Sequence, residues 1–180
     1  MSEMWSSQRG MIHAKAHVDP DVVLGPGTKV WQFASITRGT IMGRDCSVSP
    51  FAMLDGSIYG DRVLVSAGVA CGAGFKVGSD VFLGPNVCLA NDMWPKTDKE
   101  GYDDAKLRGN EHFAVIVGDG VAIGAGTVVL PGVSIGKGAV IACNATVDRD
   151  VPENTLFRRD GYIAFISDSW KRTRMRWARC

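Results

Sequence analysis

No run of eighteen apolar residues occurs anywhere in the sequence, so nothing in it has the length of a membrane-spanning helix. Its opening stretch, MSEMWSSQRG, lacks the apolar core of a secretion signal. The five cysteines include no closely spaced pair and are odd in number, which argues against a disulfide framework and for a reducing compartment. Net charge is nearly absent too, at +1, so no global field draws the chain to nucleic acid. These absences predict a single soluble, cytoplasmic domain that neither inserts in a membrane nor binds nucleic acid. The one charge asymmetry is local: Thr155 to Cys180 holds seven basic residues against two aspartates.

What the sequence does have is a period. Val117, Ile123, Val129, Ile135, Ile141 and Val147 stand six apart, and four places after each comes a small or β-branched residue: Val121, Thr127, Val133, Ala139, Ala145 and Val151. The same pattern runs from Ile12 to Leu54, with Ile58 as its last follower, slips by one residue, and runs again from Tyr59 to Leu89. Six is neither the 3.6 of a helix nor the 2 of an amphipathic strand. It suits a flat side plus a corner, with the first and fifth positions inward and Gly, Asp, Asn or Pro turning the chain. Three sides close a triangular coil, and coils stack at strand spacing over a continuous aliphatic column. About twenty units predict six to seven coils and a prism roughly 30 Å tall. Helical repeats need periods of 30 residues or more, and sandwiches need turns every 8–12.

This tandem array, from Ile12 to Pro152, resembles the hexapeptide-repeat acyltransferases, and among them the N-acetyltransferases of nucleotide-linked amino sugars. The resemblance implies an all-β, left-handed parallel β-helix, a hand that departs from the usual right-handed crossover. It implies a β-helix domain over 1–152 with an inserted loop at about 91–114, and a capping extension over 153–180. It also implies acetyl-CoA as donor, no metal, and a homotrimer with sites between neighbouring prisms. The acceptor would be an amino group of a UDP- or dTDP-linked sugar destined for surface polysaccharide. Alternatives are another acceptor, such as a sugar hydroxyl, an amino acid or a xenobiotic, and a non-catalytic scaffold. The γ-type carbonic anhydrases share the prism but need three histidines around zinc, and His13, His17 and His112 lack that spacing.

The array is interrupted where chemistry is expected. Between Leu89 and Val117 lie 28 positions where the repeat needs six, and a long polar excursion from a rigid scaffold reads as a binding loop or lid. The segment DVFLGPNVCLANDMWPK resembles the one that, in sugar N-acyltransferases, precedes a loop folded over the next subunit. Those relatives read close to TND-aromatic-Pro, and this chain reads Ala90-Asn91-Asp92-Met93-Trp94-Pro95. A second match is TKVWQFASI, with Gln32 where relatives often carry histidine.

Acyl transfer to an amine needs an oriented, neutral amine and a stabilised oxyanion. Asn91 and Asp92 are the candidates to orient the amine and hold its proton, against the plainer reading that they cap a turn. His112 is a candidate base, poised near neutral pH. Trp31, Gln32 and Trp94 are candidates for contact with substrate. Small residues would let the donor's arm approach the coils, and Gly124, Ala125, Gly126, Ala142 and Ala145 are the candidates. Lys137, Arg158 and Arg159 would take its phosphates. His13 and His17 read as surface residues near one end. GYIAFISDSWKRTRMRW reads as a short strand, then a basic amphipathic helix from about Trp170 with Ser169 as its N-cap. That segment would cap the prism or contact a subunit, with phosphate or lipid contact as alternatives.

Overall fold

The computed structural model describes residues 5–6, 11–101 and 112–166. Among these every regular element is a strand of two or three residues, and the strands stack into three sheets that are parallel except at the two ends of the first. Each sheet is one face of a prism. Coils are counted by their first-face strands: Met11–His13, Lys29–Val30, Ser47–Val48, Leu64–Val65, Phe82–Leu83, Ala122–Ile123, Val140–Ile141 and Thr155–Phe157. That makes eight coils rather than six to seven, because the ladder continues past Pro152: Leu156 pairs with Val140 and Phe157 with Ile141. Antiparallel strands close both ends of the first face, Trp5–Ser6 on the first coil and Ile163–Phe165 on the eighth. The helix expected from Trp170 lies outside the described residues.

The period dictates the core. One aliphatic column climbs each face, and on the first face Val30, Val48, Val65, Leu83, Ile123, Ile141 and Phe157 are all buried. Each such aliphatic side chain contributes about 1.5–3 kcal/mol by leaving water. The follower positions fill the corners. Where a follower is polar it is bonded: buried Thr28 donates from Oγ1 to the Gly43 carbonyl at 2.8 Å and accepts from the Cys46 amide at 3.1 Å. Ala145 is also a follower and is buried. Its side chain faces the core, so it does not line a cofactor groove as expected.

The three edges of the prism are not equivalent. Between the first and second faces, and between the third and first, each anchor follows the last by six residues in every coil. All departures fall on the edge between the second and third faces, called here the second edge. Leu54 to Tyr59 is one residue short, so Ile58 is half-exposed and the inward follower is buried Ser57. Ser57 Oγ donates to the Gly72 carbonyl at 2.9 Å and accepts from the Phe75 amide at 3.1 Å. Val147 to Val151 is two short, which makes Val151 a rung partner of Ile135 instead of a follower. The long loop leaves from this edge as well. Val77 pairs with Val117, 40 residues on, as do Leu83 with Ile123 and Leu89 with Val129, where the remaining rungs pair at about 18, so 22 residues leave and return without disturbing the stack.

Candidate functional site

The second edge gathers the catalytic candidates. The loop leaves the fifth coil after strand Cys88–Leu89 and returns at strand Val115–Val117. Its two ends are tied to adjacent residues of the coil below: Asn91 donates from Nδ2 to the Ala73 carbonyl at 3.0 Å, and the Ala114 amide donates to the Gly74 carbonyl at 2.7 Å. Asn91 and His112, two residues before Ala114, therefore share one corner. The return is steadied by Lys76, whose Nζ lies 5.6 Å from the centre of the Phe113 ring. Asn91 and Asp92 are half-buried, and His112 is exposed.

Two features give Asn91 its geometry. The first is its tether to Ala73. The second is Gly72, where an added Cβ would stand 2.7 Å from Asn91 Nδ2. A bare glycine thus lets the amide lie flat on the coil beneath, and Gly72, Ala73 and Gly74 form a shelf without bulk. Sequence reasoning did not single out Gly72. Asp92 does cap a turn, its Oδ1 accepting from the Trp94 amide at 2.9 Å. That leaves Oδ2 for other work and presents Trp94, 83% exposed, at the start of the loop. Two coils below, Asp55 is largely buried beside Arg38 and Thr37 and borders the same edge. The spacing slip next to it was the signal in the sequence.

The remaining candidates divide among places. Trp31 and Gln32 lie on the first edge, between the first and second faces, in coil two, and Trp31 Nε1 donates to Ser47 Oγ at 3.3 Å. Gly124, Ala125 and Gly126 lie on that edge too, but four rungs farther along. Gly124 and Gly126 have tight corner roles: a Cβ on Gly124 would sit 2.6 Å from the Cys143 amide nitrogen, and Gly126 turns through φ 69°. Lys137 is on the third edge, between the third and first faces, away from the other donor candidates. Ala142, Arg158 and Arg159 do converge. With Cys143 and Asp160, which were not foreseen, they line a cavity of about 320 Å³ near the C-terminal end of the first edge. Arg158 spans it in part, 3.3 Å from Asp160. His17 pairs with Asp19 at 3.0 Å, and His13 Nδ1 accepts from the Lys15 amide at 3.1 Å, both in the first coil.

Residues 114–149 match the family described as bacterial transferase hexapeptide, six repeats. A bifunctional protein GlmU from Alkalilimnicola ehrlichii is 34% identical over 143 residues, which cover 76% of this chain and 30% of that protein. The chain spans less than a third of the length of the curated relatives it matches first. Among solved structures, a UDP-N-acetylglucosamine acyltransferase from Francisella novicida superposes with a TM-score of 0.57 at 15% identity, over 95% of this chain and 78% of that one. The acetyltransferase domain of PglB from Neisseria gonorrhoeae, solved with acetyl coenzyme A, superposes with a TM-score of 0.51 at 16% identity, over 88% and 58%.

Proposed function

From a chain that carries the hexapeptide repeats of bacterial transferases on a left-handed parallel β-helix, we propose an acyl-CoA-dependent N-acetyltransferase. Its acceptor is an amino group on a UDP- or dTDP-linked sugar, it serves surface-polysaccharide synthesis in the cytoplasm, and it works as a homotrimer. The observation that carries this reading is the second edge: among the described residues the prism is irregular there alone, the loop is anchored there, and Asn91 is pinned there against a bare shelf. The transferase description of the matched repeats supports group transfer.

The chemistry follows from those groups. The amine nitrogen bonds to the thioester carbonyl carbon, the ammonium so formed sheds a proton, and the carbon–sulfur bond breaks with its electron pair leaving on coenzyme A as a thiolate, which takes up a proton to become the thiol. Asn91, held at its amide, orients the amine. Asp92 Oδ2 or the His112 imidazole receives the proton. The cavity at Ala142 and Cys143 takes the donor, and Arg158 and Arg159 face its phosphates. Fixing both reactants on one rigid prism supplies the orientation such a transfer needs.

The test is thiol release from acetyl-CoA against a panel of UDP- and dTDP-linked amino sugars, with the product mass raised by one acetyl group. Acetyl-CoA should also raise the melting temperature by mass action. Absence of thiol release on every acceptor, with no thermal shift at millimolar acetyl-CoA, supports the non-catalytic scaffold instead.

A further inference from the structure

We propose that an aromatic column on the first edge is the seat of the nucleobase of a nucleoside-diphosphate-linked substrate, the base stacking on Phe51 above Gly68. The proposal deepens the function given above and rests on it for the identity of the attached sugar.

In coils two to seven the first edge turns through a left-handed residue. In later coils that residue is Gly68 (φ 70°), Asn86 (φ 57°), Gly126 (φ 69°) or Asn144 (φ 55°), the types that accept the conformation. In coils two and three it is Phe33 (φ 62°) and Phe51 (φ 63°). A bulky Cβ resists this region, and burial gives nothing back, since the two side chains are 50% and 67% exposed. Backbone strain at an exposed position points to a use. The rings stack with centroids 5.4 Å apart at 16°. Lys15 occupies the matching place in coil one and sets its Nζ 5.7 Å from the Phe33 centroid.

Lysine, ring and ring thus stand in file along the prism axis. Lys15 and Phe51 flank Phe33, whereas Phe51 meets Phe33 on one side only and faces coil four on the other. There Gly68 has no side chain, and Asn86 of coil five leans its Oδ1 over that glycine. Two rungs, about 9.6 Å, separate the backbones of Phe51 and Asn86, and Asn86 Oδ1 stands 2.2 Å from where a Gly68 Cβ would be, so a stacked ring lies on Phe51 outside that amide. The amide offers both donors and an acceptor to the edge of such a ring. From this slot the second face runs past Ala70 and Cys88, both small and half-buried, toward Asn91. That path is one rung and five residues, roughly 17 Å, the reach of a nucleoside diphosphate from its base to its sugar.

The experiment replaces Phe51 with asparagine, the residue this corner uses elsewhere. UDP, TDP and GDP are titrated by calorimetry against the full chain and Phe51→Asn, with inorganic pyrophosphate as the control that lacks a base. The expected result is nucleotide binding to the parent and roughly a tenfold to hundredfold weaker Kd in the variant. The melting temperature should be unchanged or higher, and pyrophosphate binding equal in both. Equal nucleotide affinity in both proteins, or no nucleotide binding to the parent, overturns the proposal. So does loss of the oligomer in Phe51→Asn, which would make the column a subunit contact. Nucleotide binding that depends on Phe51 without any acetyl transfer would leave the subsite standing and remove the transferase. Acetyl transfer with an unchanged KM in Phe51→Asn would do the reverse.

Discussion

Replacing Gly72 with alanine tests the placement of Asn91 without touching Asn91 itself. The new Cβ would lie 2.7 Å from Asn91 Nδ2 and 3.3 Å from its Cγ, whereas ordinary contact begins at 3.4 Å. The amide must retreat by about 0.7 Å, which breaks its 3.0 Å bond to the Ala73 carbonyl. A displacement of that order at a positioning group costs about 10²-fold in turnover, or about 2.7 kcal/mol of transition-state stabilisation. Stability should hardly change. Losing the hydrogen bond costs about 0.5–1.5 kcal/mol, and stiffening the unfolded chain returns about 0.4–1 kcal/mol. Gly72 carries no left-handed angle that alanine would resist. Initial rates of thiol release and thermal melts are measured for Gly72→Ala, Asn91→Ala and the double variant. If glycine acts through asparagine, the double variant is no slower than Asn91→Ala, because the second change has nothing left to displace. Full activity in Gly72→Ala, or losses that multiply in the double variant, would refute the reasoning.

Asp92 has two readings that separate by isostere: Asp92→Asn keeps the turn with Trp94, so a drop of about 10²-fold in kcat/KM there assigns the work to the carboxylate, while retained activity assigns it to the turn. His112→Ala should cost about tenfold, and a complete loss would make the imidazole the base. Light scattering at micromolar concentration should return a trimer, and an active monomer would remove any site shared between subunits. Exposed Cys143 should be alkylated readily at pH 8 and protected by acetyl-CoA, whereas Cys71, buried with its thiol pushed up to about 12 by desolvation, should resist until the chain unfolds. Hydrogen bonding from Arg62 holds the Asp80 carboxyl below its ordinary value, so the stability it adds is present above about pH 4 and is lost as pH falls further. Arg62→Gln should therefore flatten the decline of Tm between about pH 4 and pH 2, and an unchanged slope would show that the pair is idle.

The period made most of the fold legible, because inward positions six apart admit few other architectures. It also gave the size of the loop, 22 surplus residues, confirmed by the pairing of Val77 with Val117. The errors came from treating the period as unbroken. Ile58 stood in for Ser57 because a one-residue deletion moves the inward position without changing the composition around it. The eighth coil was missed because the short corner at Asp148 to Asp150 hides the return of the repeat at Thr155–Phe157. Among the site residues, Asn91, Asp92 and His112 fell together because all belong to one interruption. The donor candidates were chosen for size and charge alone, which says nothing about which edge a residue occupies. Counting in threes of the repeat would have put Lys137 on a different edge from Ala142. It would also have set Phe33 and Phe51, 18 apart, in one column where other coils use Gly or Asn.

The constant rung spacing has a consequence for how the chain reaches this shape. Parallel sheets ordinarily fold slowly, because their partners are distant in sequence. Here a strand's partner is about 18 residues away in a chain of 180, a relative separation of about 0.1, in the range of helical bundles. A growing stack can recruit each coil from the chain next to it. The exception is the step from coil four to coil five on the third face and from coil five to coil six on the other two, where partners lie 40 apart. Closing that longer loop costs about 0.7 kcal/mol more than any other rung, enough to slow addition roughly threefold. Coils one to four and coils six to eight are then two favoured nuclei, and the corner that holds Asn91 is the last to form.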